Sequence, residues 1–370
     1  METTYITLAI HTYDYAVNLR RILEENGIKS QLENVDIKGK SVSSGVRVRI
    51  PSSDLPLALK IVESSLEHSL ASTYIKLDGL GDKVIIPVDF SEYSLLACEM
   101  GFSIAKLMGA EVEIIHVYAS PYFDGNLSNT DTFRLEITDA AVRKELEEGA
   151  KTEMKNFVKK IKKNIIDGVL PPVKFSPVLL EGVAEEAIQQ YTRNNPPLML
   201  VMATRGTHKK ASQMIGSVAA EMVDNCRYPV FTVPENFHFT SFDEMKDVIF
   251  FCNIEQQDLI AMDVFMRLAE NLHMNVHLIP VSDRSGSKLP GRFEALLKYY
   301  RQKYPNQHFT SVILPKANFR ADFEKYIIDH NISLLVVPNK KKNAFSRLFH
   351  PGIAHRVVFE KDIPMLALPV

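Results

Sequence analysis

Cysteine is scarce in this chain of 370 residues. Cys98, Cys226 and Cys252 are odd in number and far apart, so they form no disulfide framework and no zinc site. That usage fits a reducing cytosol, where a lone cysteine is a small core residue, and a cytoplasmic protein is the expectation. Long apolar runs are missing as well: none approaches the length that spans a bilayer. The N-terminus "METTYITLAIHTYDYAVNLRR" has no basic segment followed by an apolar one, so no signal peptide is expected. Charge of one sign is not in excess. A formal net charge of -2 gives no global argument for nucleic acid or for an anionic membrane surface, and neither is expected as a partner.

Catalytic signatures are equally thin. His11, His116 and His208 stand isolated and no H-E-x-x-H pattern occurs, so no metal site is expected. No serine sits in a G-x-S-x-G elbow and no paired carboxylates stand out, so no catalytic residue is assigned. Neither a Walker A loop nor the dinucleotide fingerprint G-x-G-x-x-G occurs. The basic stretch "KNFVKKIKKN", Lys155 to Asn164, interleaves its lysines with Phe157, Val158 and Ile161 and reads as the solvated face of a helix.

What is present points to several domains, because one core rarely organises a chain this long. Residues 1–77 predict a small α+β module of ferredoxin-like order, β-α-β-β-α-β. "YITLAI" reads as a strand. "YDYAVNLRRILEENG" reads as an amphipathic helix with Ala16, Leu19, Ile22 and Leu23 on one face and Gly27 as its stop. "KSQLENV" and "GVRVRIP" read as strands, "SSDLPLALKIVESSLEH" as a serine-capped helix and "STYIKL" as a closing strand. The linker signal is "DGLGD", residues 78–82.

Two further blocks, 83–236 and 246–370, are copies of one another. "KVIIPVDFSEYSLLACEMGFSIAKLMGAEVEIIHV" aligns without a gap on "DVIFFCNIEQQDLIAMDVFMRLAENLHMNVHLIPV", Lys83 falling on Asp247 and Val117 on Val281, an offset of 164. Further on, "LVMATRGTHKKASQMIGSVAAEMVDNCRYPVFTV" aligns on "LVVPNKKKNAFSRLFHPGIAHRVVFEKDIPMLAL", Pro229 on Pro364, an offset of 135. The first copy therefore carries 29 extra residues in its middle, and the polar, aperiodic "SPYFDGNLSNTDTFRLEITDA" predicts a surface loop there. Strands such as "KVIIPV", "VEIIHV" and "LMLVMA" are apolar on both faces, the pattern of a parallel sheet covered by helices. The fold class expected is α/β: two tandem doubly wound parallel-sheet domains behind the small N-terminal module. In such sheets ligands bind beyond the carboxyl ends of the strands, where strand order reverses.

The stretch "VMATRGTHKKASQMIGSVAAEMV", residues 201–223, stands at such a place. A strand runs out, Gly206 follows, nine residues intervene, and Gly216-Ser217 opens a helix. A helix N-terminus offers unpaired N–H groups and partial positive charge to an anion, and glycine lets a phosphate come close. Ser217 can add a hydroxyl, and Arg205, Lys209 and Lys210 can neutralise charge at the rim. On spacing alone, a turn at Gly206 and a cap at Ser217 explain the residues equally well. Asp89, in "DFSEYS", likewise reads either as a ligand contact at a strand end or, with Ser91, as a helix cap.

These residues resemble the universal stress protein (UspA-like) family. Its nucleotide-binding members carry G-x-x-G, nine residues, then G-[ST]. Here the frame is Ala203-x-x-Gly206, nine residues, Gly216-Ser217, with Ala203 in place of the first glycine. "IIPVDFSEYS" resembles the family's opening strand and "CRYPVFTVP" its last. The resemblance covers about 83–235 well and 247–370 as a worn second copy. It implies an adenine nucleotide alpha-hydrolase-like fold, ATP or another adenine nucleotide as ligand, and a regulatory role in the stress response. Asp89 and the Val117 backbone would hold the adenosine end. Ala203, Arg205, Gly206, Gly216 and Ser217 would surround the phosphates. Mg2+ could accompany ATP, though no residue marks its site.

The second copy reads Pro338-x-x-Lys341, nine residues, Pro351-Gly352, with Asn253 at the Asp89 position. Proline donates no N–H and lysine is bulky, so that loop is not expected to wrap a triphosphate. Within the family, domains pair through their last strands. "PVFTV" and "PMLAL" are therefore expected to pair antiparallel within the chain as a pseudo-dimer, with a homodimer of whole chains left open. An alternative reading is a stress-linked scaffold that binds no nucleotide. The N-terminal block resembles a small prokaryotic signal-transducing module through "AVNLRRILEENGI", "GVRVRIP" and "LPLALKIVE".

Overall fold

The structure, a computed structural model, describes residues 5–11, 13–37, 40–58, 61, 81–118, 140–204, 217–225, 227–252, 256–280, 289–314, 319–339 and 362–369. In chain order the elements are β1 (Tyr5–His11), α1 (Tyr13–Glu25), β2 (Gln31–Ile37), β3 (Lys40–Pro51), β4 (Lys83–Pro87), α2 (Glu92–Met108), β5 (Glu111–Tyr118), α3 (Ala140–Ile166), β6 (Phe175–Glu181), α4 (Ala184–Asn194), β7 (Met199–Ala203), α5 (Ser217–Asn225), β8 (Val230–Val233), β9 (Asp247–Cys252), α6 (Gln256–Leu268), β10 (Asn275–Pro280), α7 (Leu289–Lys303), β11 (His308–Ser311), α8 (Phe319–Asp329), β12 (Leu334–Asn339) and β13 (Met365–Pro369). No helix among the described residues is long and apolar enough to cross a membrane. The chain divides into two compact units. One holds residues 1–77, 241–354 and 368–370; the other holds 78–240 and 355–367.

In the first unit, β1, β3 and β2 form an antiparallel sheet in that order. α1 ends where Gly27 takes the left-handed conformation, φ +81, and Ile28 N–H returns to Leu23 O, closing the last turn as the sequence predicts. Ala16, Leu19 and Leu23 are buried, as the apolar stripe requires. The helix expected after Pro51 begins with a 3-10 turn at Ser52–Asp54 that lies against α7, and residues 55–58 are helical. The expected closing strand "STYIKL" lies outside the described residues. The same unit holds the second α/β layer, with parallel strands in the order β11-β10-β9-β12.

In the second unit the strand order is β13-β8-β7-β4-β5-β6. β4 to β8 run parallel, and the central residues of β4, β5, β7 and β8 are buried on both faces, so both sides of the sheet must be covered by helices there. α2 lies against β4 and β7 so closely that a Cβ on Gly101 would overlap Ile86 Cδ1. Beside it Cys98 is wholly buried and burial pushes its thiol up, which fits a core residue. β13 pairs antiparallel with β8, Met365 opposite Thr232 and Ala367 opposite Val230, so the apolar edge of β8 is covered.

The two α/β layers repeat one element order. The starts of β4, α2 and β5 lie 164 positions before those of β9, α6 and β10, and β7 and β8 start 135 before β12 and β13. The extra residues of the first copy are not confined to a loop, as the sequence suggested. α3 has 27 residues against 15 in its counterpart α7, and residues 119–139 before it lie outside the described residues. The long helix is possible because Ala150, Met154, Phe157 and Ile161 make one buried stripe, while Lys155, Lys159, Lys160, Lys162 and Lys163 stay exposed.

Candidate functional site

The switch point of the second unit lies at β4. From β4 the chain builds outward to β5 and β6, then crosses to β7 and β8 on the other side. The carboxyl ends of the three central strands therefore part here. Pro87 lies opposite Ile115, and Val88 N–H donates to Ile115 O at 2.8 Å. Continued two residues, that register sets Asp89 level with Val117. On the other side Ile85 lies opposite Leu200, and continuing that register three residues sets Val88 level with Ala203. Asp89, Val117 and Ala203, three of the residues singled out in the sequence, thus share one sheet edge. Ser217 is the first residue of α5. Arg205, Gly206 and Gly216 lie outside the described residues, as does His208.

Asp89 is tied down by the start of the helix that follows. Its Oδ1 accepts from Ser91 N–H at 3.1 Å, from the Ser91 hydroxyl at 2.5 Å and from the Ser94 hydroxyl at 2.7 Å. The Asp89 N–H in turn donates to Ser94 Oγ at 3.0 Å. Ser91 is the N-cap of α2, in extended conformation, and its hydroxyl oxygen accepts from Ser94 N–H at 3.3 Å. The cap thus belongs to Ser91, and Asp89 braces it from outside. Ser94, almost wholly buried, is the residue the sequence reading missed. Its only signal was the spacing D-x-S-x-x-S, common at helix starts. Ser91→Ala removes the cap and one donor to Asp89. It should cost about 1 kcal/mol of stability, read as a lower urea midpoint for the second unit.

Phe90, between Asp89 and Ser91, sits at φ +64, a left-handed conformation rare for a bulky residue. Packing holds it there. Its ring lies 4.1 Å from the His116 ring and 5.5 Å from that of Phe157 on α3. His116 Nδ1 is 2.8 Å from Val88 O, which can only accept, so Nδ1 carries a proton. The isolated histidine of the sequence is a strut beneath the Asp89 turn. In the second copy Pro338 lies in β12, while Asn253, Lys341, Pro351 and Gly352 lie outside the described residues. Among the described residues no group of three or more His, Cys, Asp or Glu is placed to hold a metal ion.

Residues 81–234 match the model of the universal stress protein family. A universal stress protein of Methanocaldococcus jannaschii is 30% identical over 156 residues, 42% of this chain and 84% of that protein. A second from the same organism is 23% identical over 156 residues, 41% of this chain and 93% of that protein. Among solved structures, a universal stress protein from Archaeoglobus fulgidus superposes with a TM-score of 0.54 at 14% identity, covering 78% of this chain and 96% of that one. That likeness speaks to the fold alone.

Proposed function

Because the chain belongs to the universal stress protein family, we propose that its first α/β layer binds ATP or another adenine nucleotide and serves as a regulatory module in the stress response. The observation that supports this most is the convergence of Asp89, Val117 and Ala203 at the carboxyl ends of three adjacent parallel strands, beside the strand-order reversal. Asp89 would accept hydrogen bonds from the adenosine part, and backbone at Val117 would face the base. Ala203, Arg205, Gly206, Gly216 and Ser217 would line the phosphates, with α5 turning its N-terminus toward them. Mg2+ would enter on the nucleotide's own phosphate oxygens.

Ser91 and Ser94 prepare the site by holding Asp89 in one orientation before any ligand arrives, which lowers the ordering cost of binding. Heat denaturation of the purified chain should release an adenine chromophore, and Gly216→Val should abolish its retention while the fold persists. A Gly216→Val chain that still carried nucleotide would overturn the phosphate assignment. A second reading, a scaffold that binds no nucleotide, draws on Ala203, whose methyl narrows the place a family glycine leaves open.

A further inference from the structure

Two polar clusters, each centred on a buried residue, occupy the same position in the two α/β layers, with the acidic and basic residue types exchanged. In the first layer Lys83 opens β4, Glu113 is the third residue of β5, and Tyr191 lies on α4. Lys83 Nζ stands 3.0 Å from Glu113 Oε1, and the Tyr191 hydroxyl donates to Glu113 Oε2 at 2.7 Å. In the second layer Asp247 opens β9, His277 is the third residue of β10, and Tyr326 lies on α8. His277 Nε2 stands 3.3 Å from Asp247 Oδ1, and its Nδ1 is 2.7 Å from the Tyr326 hydroxyl. The three pairs of positions are those the repeat equates. Lys83 to Asp247 and Glu113 to His277 are 164 apart, and Tyr191 to Tyr326 is 135 apart. A central carboxylate held by a lysine has become a central imidazole held by a carboxylate. Both central residues are nearly sealed, Glu113 at 4% exposure and His277 at 6%.

The exchange changes how the two clusters respond to acid. Lysine and glutamate ordinarily titrate outside the range between about pH 5 and 8, and histidine titrates inside it. Asp247 can only accept, so the neutral His277 ring keeps its proton on Nε2 and takes the Tyr326 hydroxyl on Nδ1. Thr310 on β11 brings a second hydroxyl to within 3.2 Å of the same nitrogen. A proton on Nδ1 turns that nitrogen from an acceptor into a donor, so the hydroxyl that gives to it must turn round and accept. The charged groups around the ring are mixed. β9 supplies the Asp247 carboxylate, whose Oδ1 also accepts from Asn275. β11 supplies His308, and the turn after α8 supplies His330, 5.7 Å away and stacked on Tyr326. Burial holds His277 below the ordinary histidine value. Asp247 pulls it up, and His330 and His308 push it down further.

We propose that this cluster makes the second α/β layer acid-sensitive: protonation of His277 loosens the seat of α8 on β10, while the first layer, built on the Lys83–Glu113 pair, stays closed. The unfolded chain takes up the proton first, because its histidine has the higher affinity. Stability of the second layer is therefore full above about pH 6.5 and is lost as pH falls through the folded value.

Hydrogen exchange of the full chain at about pH 7.5 and about pH 5.5, corrected for the intrinsic pH dependence of exchange, tests this. Peptides from α8 and β10 should lose protection severalfold in acid, while those from α4 and β5 hold theirs. H277Q should remove the difference. Should H277Q fail to fold, the histidine-ring proton titration of the wild-type chain decides: the His277 midpoint should lie below about 6.5 and coincide with the loss of α8 protection. Equal loss in both layers, a loss that survives H277Q, or a midpoint at or above the ordinary value would overturn the proposal.

Discussion

Asp89→Asn is expected to weaken ATP binding by roughly 10- to 100-fold while leaving the domain folded, the range that follows from losing one hydrogen bond to a charged group. The substitution is chosen for what it keeps. Asparagine retains an oxygen at the Oδ1 position, where the Ser91 and Ser94 donors converge, so the helix start stays braced. The charge and the acceptor at the other oxygen are lost. Titration calorimetry of the variant beside the wild type reads the difference. Equal affinity would remove Asp89 from the site, and an unfolded variant would be evident in its circular dichroism.

Phe102→Ala should lower the stability of the second unit by about 3–5 kcal/mol, the usual cost of deleting a fully buried phenylalanine. Phe102 has no solvent exposure and meets Phe175 of β6 edge-on, with centroids 5.6 Å apart. The upper part of the range is expected because the neighbourhood cannot collapse into the gap. At the adjacent Gly101 helix and sheet already touch, so α2 cannot settle closer to β4. Hydrogen exchange at β4 and β5 should rise by about a hundredfold or more, and Phe102→Leu should recover most of the protection. A rise of only a few-fold would mean that this helix–sheet contact contributes little to the domain.

The repeat was the most legible feature of the chain. Gapless offsets of 164 and 135 in the sequence reappear as the starting positions of β4 and β9, β5 and β10, β7 and β12, and β8 and β13. Strands apolar on both faces carry that signal strongly, because a parallel sheet leaves them no solvent side. Asp89 was legible for the same reason: an acidic residue directly after such a strand must lie at the sheet edge. Ser94, Phe90 and His116 were not. Their roles depend on a turn whose geometry is set by packing against Phe157, 67 residues further on. The lengthened α3 was hidden as well, since a helix extension and a polar loop look alike where periodicity fades. The reversed clusters around Glu113 and His277 were hidden deeper. Each joins three segments far apart in sequence, and a single polar residue in an apolar strand carries no mark of its partner.

Calorimetric titration of the full chain with ATP, after removal of any co-purifying nucleotide, tests the central claim most directly. A saturable heat with one site per chain is expected, lost in Gly216→Val and reduced in Asp89→Asn. No heat up to millimolar ATP would contradict it.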